Sequence, residues 1–152
     1  MKSILNLSIP LLFSITMFGQ GENSLDEIDE IRTTINLYFA GTRDGKPQKL
    51  REAFHPDFNL YTVDTDGKLI TRSGEQYISN TKEGIKTNRI ARIISIDVEN
   101  NTAVAKAEIL VPAWRIFTDY FLLLKYQGKW KIVHKSYTWR ETEKTIELKI
   151  KK

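Results

Sequence analysis

The stretch from Asp119 to Arg140, DYFLLLKYQGKWKIVHKSYTWR, constrains this chain more than any other. Its two arms are dominated by β-branched and aromatic residues, and Gln127-Gly128 forms the two-residue loop that closes a hairpin. If Tyr126 opposes Lys129, then Leu123 meets Ile132, Phe121 meets His134 and Asp119 meets Ser136. One face then carries Phe117, Asp119, Phe121, Leu123, Trp130, Ile132, His134 and Ser136. The other carries Tyr120, Leu122, Leu124, Lys131, Val133, Lys135 and Tyr137. The first face is apolar but holds one carboxylate and one imidazole, the pattern of a pocket wall on a curling sheet. The second is an apolar row larger than a monomer normally exposes, which predicts cover from a second subunit or from the C-terminal tail.

Residues 1–20 read as a secretory signal peptide: Lys2, an apolar run from Ile4 to Phe18, then small Gly19 and Gly21. The run is shorter than the roughly 20 apolar residues a membrane span needs, so no span is expected in the mature chain. The expected location is periplasmic or secreted. The mature chain has the length of one domain, expected over residues 24–140. There is no cysteine, which excludes a disulfide frame, a thiolate nucleophile and a cysteine zinc site. The two histidines lack an acidic cluster, and no Gly-rich phosphate loop is present, so neither a metal nor a cofactor is expected. The net charge of +4 is scattered among acids, which argues against a nucleic-acid partner.

Ser24 and Glu27 have capping-box spacing ahead of Leu25, Ile28, Ile31, Ile35, Tyr38 and Phe39, which recur at helical period and predict a helix ending near Gly41. Pro47 opens a second, short helix through Phe54, with Leu50, Ala53 and Phe54 buried. Phe58 to Val63 and Lys68 to Thr71 form a hairpin around Asp66-Gly67. Ser73 and Gln76 cap a third helix, expected to end at Gly84. Arg89 to Val98 and Thr102 to Val111 are two further strands joined at Asn100-Asn101, and Pro112 breaks the ladder before the long hairpin. Helices early and strands late predict an α+β domain with helices covering one face of a strongly curved antiparallel sheet. Residues 141–152 alternate like an edge strand but are rich in Lys and Glu, so they are expected either to add to the sheet or to stay mobile.

In this order of elements the chain resembles the nuclear transport factor two-like superfamily, a cone-shaped, cystatin-like fold. FHPDF at Phe54 to Phe58, AVAKAE at Ala103 to Glu108, FTDYFLLLK at Phe117 to Lys125 and GKWKIVHK at Gly128 to Lys135 resemble its branch called "putative lumazine-binding". The resemblance covers about Ile31 to Tyr137. It implies about three helices over a bent sheet around a deep apolar cavity, often in homodimers. The superfamily contains isomerases, dehydratases, cyclases and non-catalytic pocket domains, so the fold alone does not select an activity.

Asp119 is the first site candidate, because a carboxylate among Phe117, Phe121 and Trp130 is poorly solvated; it serves either chemistry or a backbone tie. His134 lies diagonally across the predicted register, where an Asp119/His134 pair would make a catalytic general base; otherwise it lines the pocket. His55 in FHPD stands either at a helix end or at the cavity mouth. Tyr61 and Trp114, with Phe117, Phe121 and Trp130, are candidate ligand-binding walls, or core. Lys135 reads as a solvated or dimer-face residue. The resulting expectation is an exported domain binding a small apolar or aromatic molecule in an Asp/His pocket. An isomerase, dehydratase or cyclase, or a dimerising scaffold, are the alternatives.

Overall fold

The computed structural model describes residues 20–143, so the predicted signal peptide at 1–20, save its last residue, and the tail from 144 lie outside the described residues. The chain runs α1 (Gln20–Asp44), α2 (Pro47–Ala53), β1 (Phe54–Val63), β2 (Leu69–Ser73), α3 (Gly74–Ser79), β3 (Ile90–Glu99), β4 (Thr102–Val111), β5 (Arg115–Tyr126) and β6 (Lys129–Glu141). Six strands make one sheet in the order β2-β1-β6-β5-β4-β3, and the helices cover its inner face. The α+β cone expected from the sequence is present. The sheet is mixed, because β1 lies parallel to β6 while every other pair is antiparallel. Among the described residues no helix is long and apolar enough to cross a membrane.

Local chemistry accounts for most element ends. Pro47 opens α2 where a missing N–H costs nothing. The Ser73–Gln76 capping box forms in full, with Gln76 N–H donating to Ser73 Oγ and Ser73 N–H to Gln76 Oε1. α3 stops at Ser79 rather than at Gly84, which turns the chain later with φ +75°. The other predicted box does not form: helical backbone runs through Ser24, and the Glu27 carboxylate accepts instead from Trp130 Nε1 and Lys125 Nζ, both at 2.6 Å. Those two hydrogen bonds, Lys125's first, hold the Glu27 carboxyl below its ordinary range. β6 continues to Glu141, which pairs with Arg115, so one residue assigned to the tail belongs to the sheet.

The core joins Ile31, Ile35 and Tyr38 of α1 to Leu50, Phe54, Phe58 and Leu60, and to the inward residues of β4, β5 and β6. Phe54 and Phe58 stack at 4.0 Å, while Leu25, expected on the apolar stripe, is exposed.

The long hairpin departs from regular pairing at one place. Tyr126 faces Lys129 and Leu123 faces Ile132 as predicted, but Leu122 then faces His134 and Phe121 faces Lys135. Val133 is an extra residue, a β-bulge. The β1–β6 ladder breaks beside it, between Phe54↔Ile132 and Asn59↔His134, where Pro56 has no N–H to offer. Beyond the bulge the faces exchange: Lys135 and Tyr137 turn into the cone with Phe121 and Asp119, and His134 and Ser136 turn out.

Gly45 ties the end of α1 to the segment after α3. It has φ +61°, its carbonyl accepts from Gly84 N–H at 2.8 Å, and an added Cβ would lie 2.6 Å from backbone atoms of Lys82 and Ile85. Gly45→Ala is therefore expected to cost about 2–4 kcal/mol in urea unfolding, from the positive φ and the clash together. Gly84→Ala, with open space around its Cβ, should cost about 1 kcal/mol. Equal costs would refute the role given to the backbone contact.

Candidate binding and catalytic site

Inside the cone, where the bulge has rotated β6, a polar cluster interrupts the apolar core. Asp119 is 1% and Lys135 4% exposed. Asp119 Oδ2 accepts from Lys135 Nζ at 2.8 Å and from Tyr38 Oη at 2.7 Å. Lys135 Nζ also donates to Tyr38 Oη at 2.7 Å, and Tyr77 Oη donates to Tyr38 Oη at 3.3 Å. The ammonium lies 4.8, 5.1 and 5.3 Å from the ring centres of Tyr38, Tyr77 and Tyr137, close enough for cation–π attraction. Phe121 meets Tyr38 edge-on. Asp119 Oδ1 is buried with no hydrogen-bond partner among the described residues.

The surroundings of Lys135 and Tyr38 favour the protonated form of both. Burial works to lower the Lys135 value, but the Asp119 charge, Tyr77, the Asp119 hydrogen bond and Tyr137 together outweigh it, and the net direction is up. Burial, then the Asp119 charge, hold the Tyr38 phenol well above its ordinary value. Tyr38 thus remains a donor to the carboxylate. The three groups hold an ammonium, a phenol and a carboxylate oriented within one hydrogen-bonded unit. Such a unit can bind a polar group, steady a developing oxyanion or move a proton.

Residues 26–138 match the family described as "Putative lumazine-binding". The chain belongs to this family. The matched span holds Tyr38, Tyr77, Asp119 and Lys135. Aldolase FrzH from Cladobotryum sp is 29% identical over 113 residues, 72% of this chain and 88% of that protein. Among solved structures, a nuclear transport factor two-like protein of unknown function from Shewanella baltica is 27% identical, with a TM-score of 0.69 over 78% of this chain and 97% of its own. Another, from Methylobacillus flagellatus, is 30% identical, with a TM-score of 0.68 over 76% and 94%.

In this member of the lumazine-binding family the predicted Asp119/His134 pair does not exist. His134 is on the outer face, 2.8 Å from Ser136 Oγ through Nε2 and stacked on Tyr61 at 5.0 Å. Tyr61 follows buried Leu60 on β1 and so points to the outer face, opposite Phe58 and Leu60, and does not wall the cone. His55 accepts from Asp57 N–H through Nδ1 and meets Tyr126 edge-on at 4.8 Å, away from Asp119. Trp114 is 45% exposed in the β4–β5 turn, where its ring takes the Arg115 guanidinium. Phe117 and Phe121 do face inward near Asp119. Trp130 is buried as predicted, but six rungs along the hairpin, about 20 Å at 3.4 Å per residue, with its indole on Glu27.

Lys135, Tyr38 and Tyr77 are the members of the cluster that the sequence does not single out. Tyr38 is legible as a polar tip on the buried stripe of α1, and a buried tyrosine needs a partner for its hydroxyl. Lys135 gives no such sign, since strict alternation places it outside.

Proposed function

We propose that this protein is an exported small-molecule-binding domain whose ligand docks on the Asp119–Lys135–Tyr38 cluster. The observation that carries the reading is the unpartnered Asp119 Oδ1. A buried acceptor left unmade costs about 1–3 kcal/mol, and the ion pair beside it fixes the carboxylate so that it cannot turn away. A ligand that donates an N–H or O–H to Oδ1 recovers that cost, while the surrounding tyrosine and phenylalanine rings accept its flat or apolar body. Native mass spectrometry of the protein purified from its own host should find a co-purified small molecule, absent from the Asp119→Asn/Lys135→Met double variant. A wild-type protein that carries nothing, and binds none of a panel of aromatic N–H and O–H compounds, would sink the reading.

A second reading, an acid–base enzyme of the aldolase kind, is favoured by the similarity to Aldolase FrzH together with a buried lysine. Aldol chemistry needs an enolate oxygen stabilised and a proton moved. Lys135 and Tyr38 suit the first task and Asp119 the second.

The signal peptide predicted at residues 1–20 and the outer sheet face extend the proposal to export and to a homodimer. Val104, Tyr120, Leu122 and Leu124 are between 36% and 50% exposed on that face. Tyr137, expected on the same face, lies inside. Cell fractionation and sedimentation should find a mature dimer outside the cytoplasm; full-length protein in the cytosol, or a monomer at micromolar concentration, would contradict it.

A further inference from the structure

Beside the buried cluster, and separated from it by one side chain, is a cavity of about 290 Å³ between α3, the segment after it and the end of α1. Tyr77 forms its inner wall. Its hydroxyl donates to Tyr38 Oη, so it stands between the cavity and the Asp119–Lys135 pair. Apart from Ile85 the remaining wall is basic and polar, with Arg72, Lys82 and Arg89 beside Thr42 and Asn80, and no carboxylate lines it. Among the described residues none of those three cations has an ion pair, whereas Arg43, Arg51, Arg92 and Arg140 each have a carboxylate partner. Arg89 and Thr42 also line the adjoining 510 Å³ cavity, to which Arg43 and Lys49 contribute. Arg43 is matched there by Asp44, so Lys49 is the cation that carries positive charge past the first opening.

We infer that this cavity is an anion-binding vestibule, and that the ligand of the inner site is a small molecule bearing a carboxylate, phosphate or comparable anionic group at the end opposite its hydrogen-bond donor. The inference rests on the reading that the ligand docks on the cluster. Three unpaired cations converging on a partly enclosed cavity attract one sign of charge, and low-dielectric walls focus that field. The inner end needs the opposite chemistry. There the Asp119 charge is already matched by Lys135, and a second anion would meet the free Oδ1 lone pair, so only a neutral donor fits. A ligand read from both ends would place its anion at Arg72 and Arg89 and its donor at Asp119 Oδ1, with an aromatic or planar middle in the place from which the Tyr77 side chain has swung aside.

A matched pair of probes tests this. 4-Hydroxycinnamate and 4-hydroxycinnamide share a shape and a phenol, and differ in the anion. Titration calorimetry on the mature protein should give about tenfold or greater preference for the acid, which corresponds to about 1.4 kcal/mol. The Arg72→Gln/Arg89→Gln variant should lose that preference while holding the amide with unchanged affinity. Equal binding of the two by the wild type, a preference surviving in that variant, or no binding of either probe would overturn the vestibule. The Asp119→Asn/Lys135→Met variant separates the two readings. Acid and amide binding equally, and both lost in that variant, would remove the vestibule and leave the inner site standing. An Arg-dependent preference for the acid, indifferent to that variant, would leave the vestibule and remove the inner site.

Discussion

Lys135→Met is expected to destabilise the protein by about 3–5 kcal/mol in urea unfolding, an effect far larger than any surface lysine can give. The substitution keeps the length of the side chain and removes its charge. It leaves the Asp119 carboxylate, 1% exposed, with one phenol donor and no compensating cation. Adding Asp119→Asn should recover at least half of the loss, because the neutral amide still accepts from Tyr38 and no buried charge remains. A single variant within about 0.5 kcal/mol of wild type would mean that Lys135 is solvated and that the bulge at Val133 is misplaced. The pair also sets a pH dependence. Lys135 holds its proton more tightly folded than unfolded, so its contribution is complete below about pH 10, where an unfolded lysine begins to titrate, and is lost as pH rises through the native value. Tyr38 acts in the same direction, since the unfolded phenol ionises near pH 10 while the native one keeps its proton. Stability should therefore fall on the alkaline side, and the Asp119→Asn/Lys135→Met variant should show a shallower fall.

Asp119→Asn should cut affinity for a donor-bearing ligand by about 5- to 150-fold, equivalent to about 1–3 kcal/mol. The amide oxygen must stay where Oδ2 was, because Tyr38 and Lys135 both donate there. The amide nitrogen then occupies the position of Oδ1 and presents a donor where the ligand also brings one. If the protein also moves protons, the same change should lower turnover by roughly 100-fold or more, since an amide cannot take the proton. His134→Ala is the matching control. His134 lies on the outer face against Tyr61 and should change neither quantity. A His134 effect as large as the Asp119 effect would restore the pair expected from regular alternation and refute the cluster.

How far the chain could be read depended on the range of the interactions involved. Capping and turn chemistry is local, so the Ser73–Gln76 box, the Pro47 start and the turns at Asp66-Gly67 and Gln127-Gly128 were legible from neighbouring residues. The strands between Ile90 and Arg140 were legible through their two-residue period, which gave the correct faces as far as the bulge at Val133. The Ser24–Glu27 box failed because Glu27 had a better use: Lys125 and Trp130 arrive from about a hundred residues away. Helical backbone accordingly continues through Ser24.

The sequence by itself determined the α+β class, the element order, the place of the hairpin turn, and the burial of Asp119, Phe121, Trp130 and Ile132. Each of these comes from periodicity and from turn residues acting on their own neighbours. Only the tertiary structure decided which basic group joins Asp119. β6 must satisfy β5 on one side and β1 on the other. β1, with Pro56 unable to donate, offers it an interrupted ladder, and β6 carries one extra residue at Val133 beside the break. Because side chains alternate with a period of two, that single residue turned His134 out and Lys135 in. Nothing local to KIVHK encodes the exchange; it comes from the fit of three strands at once.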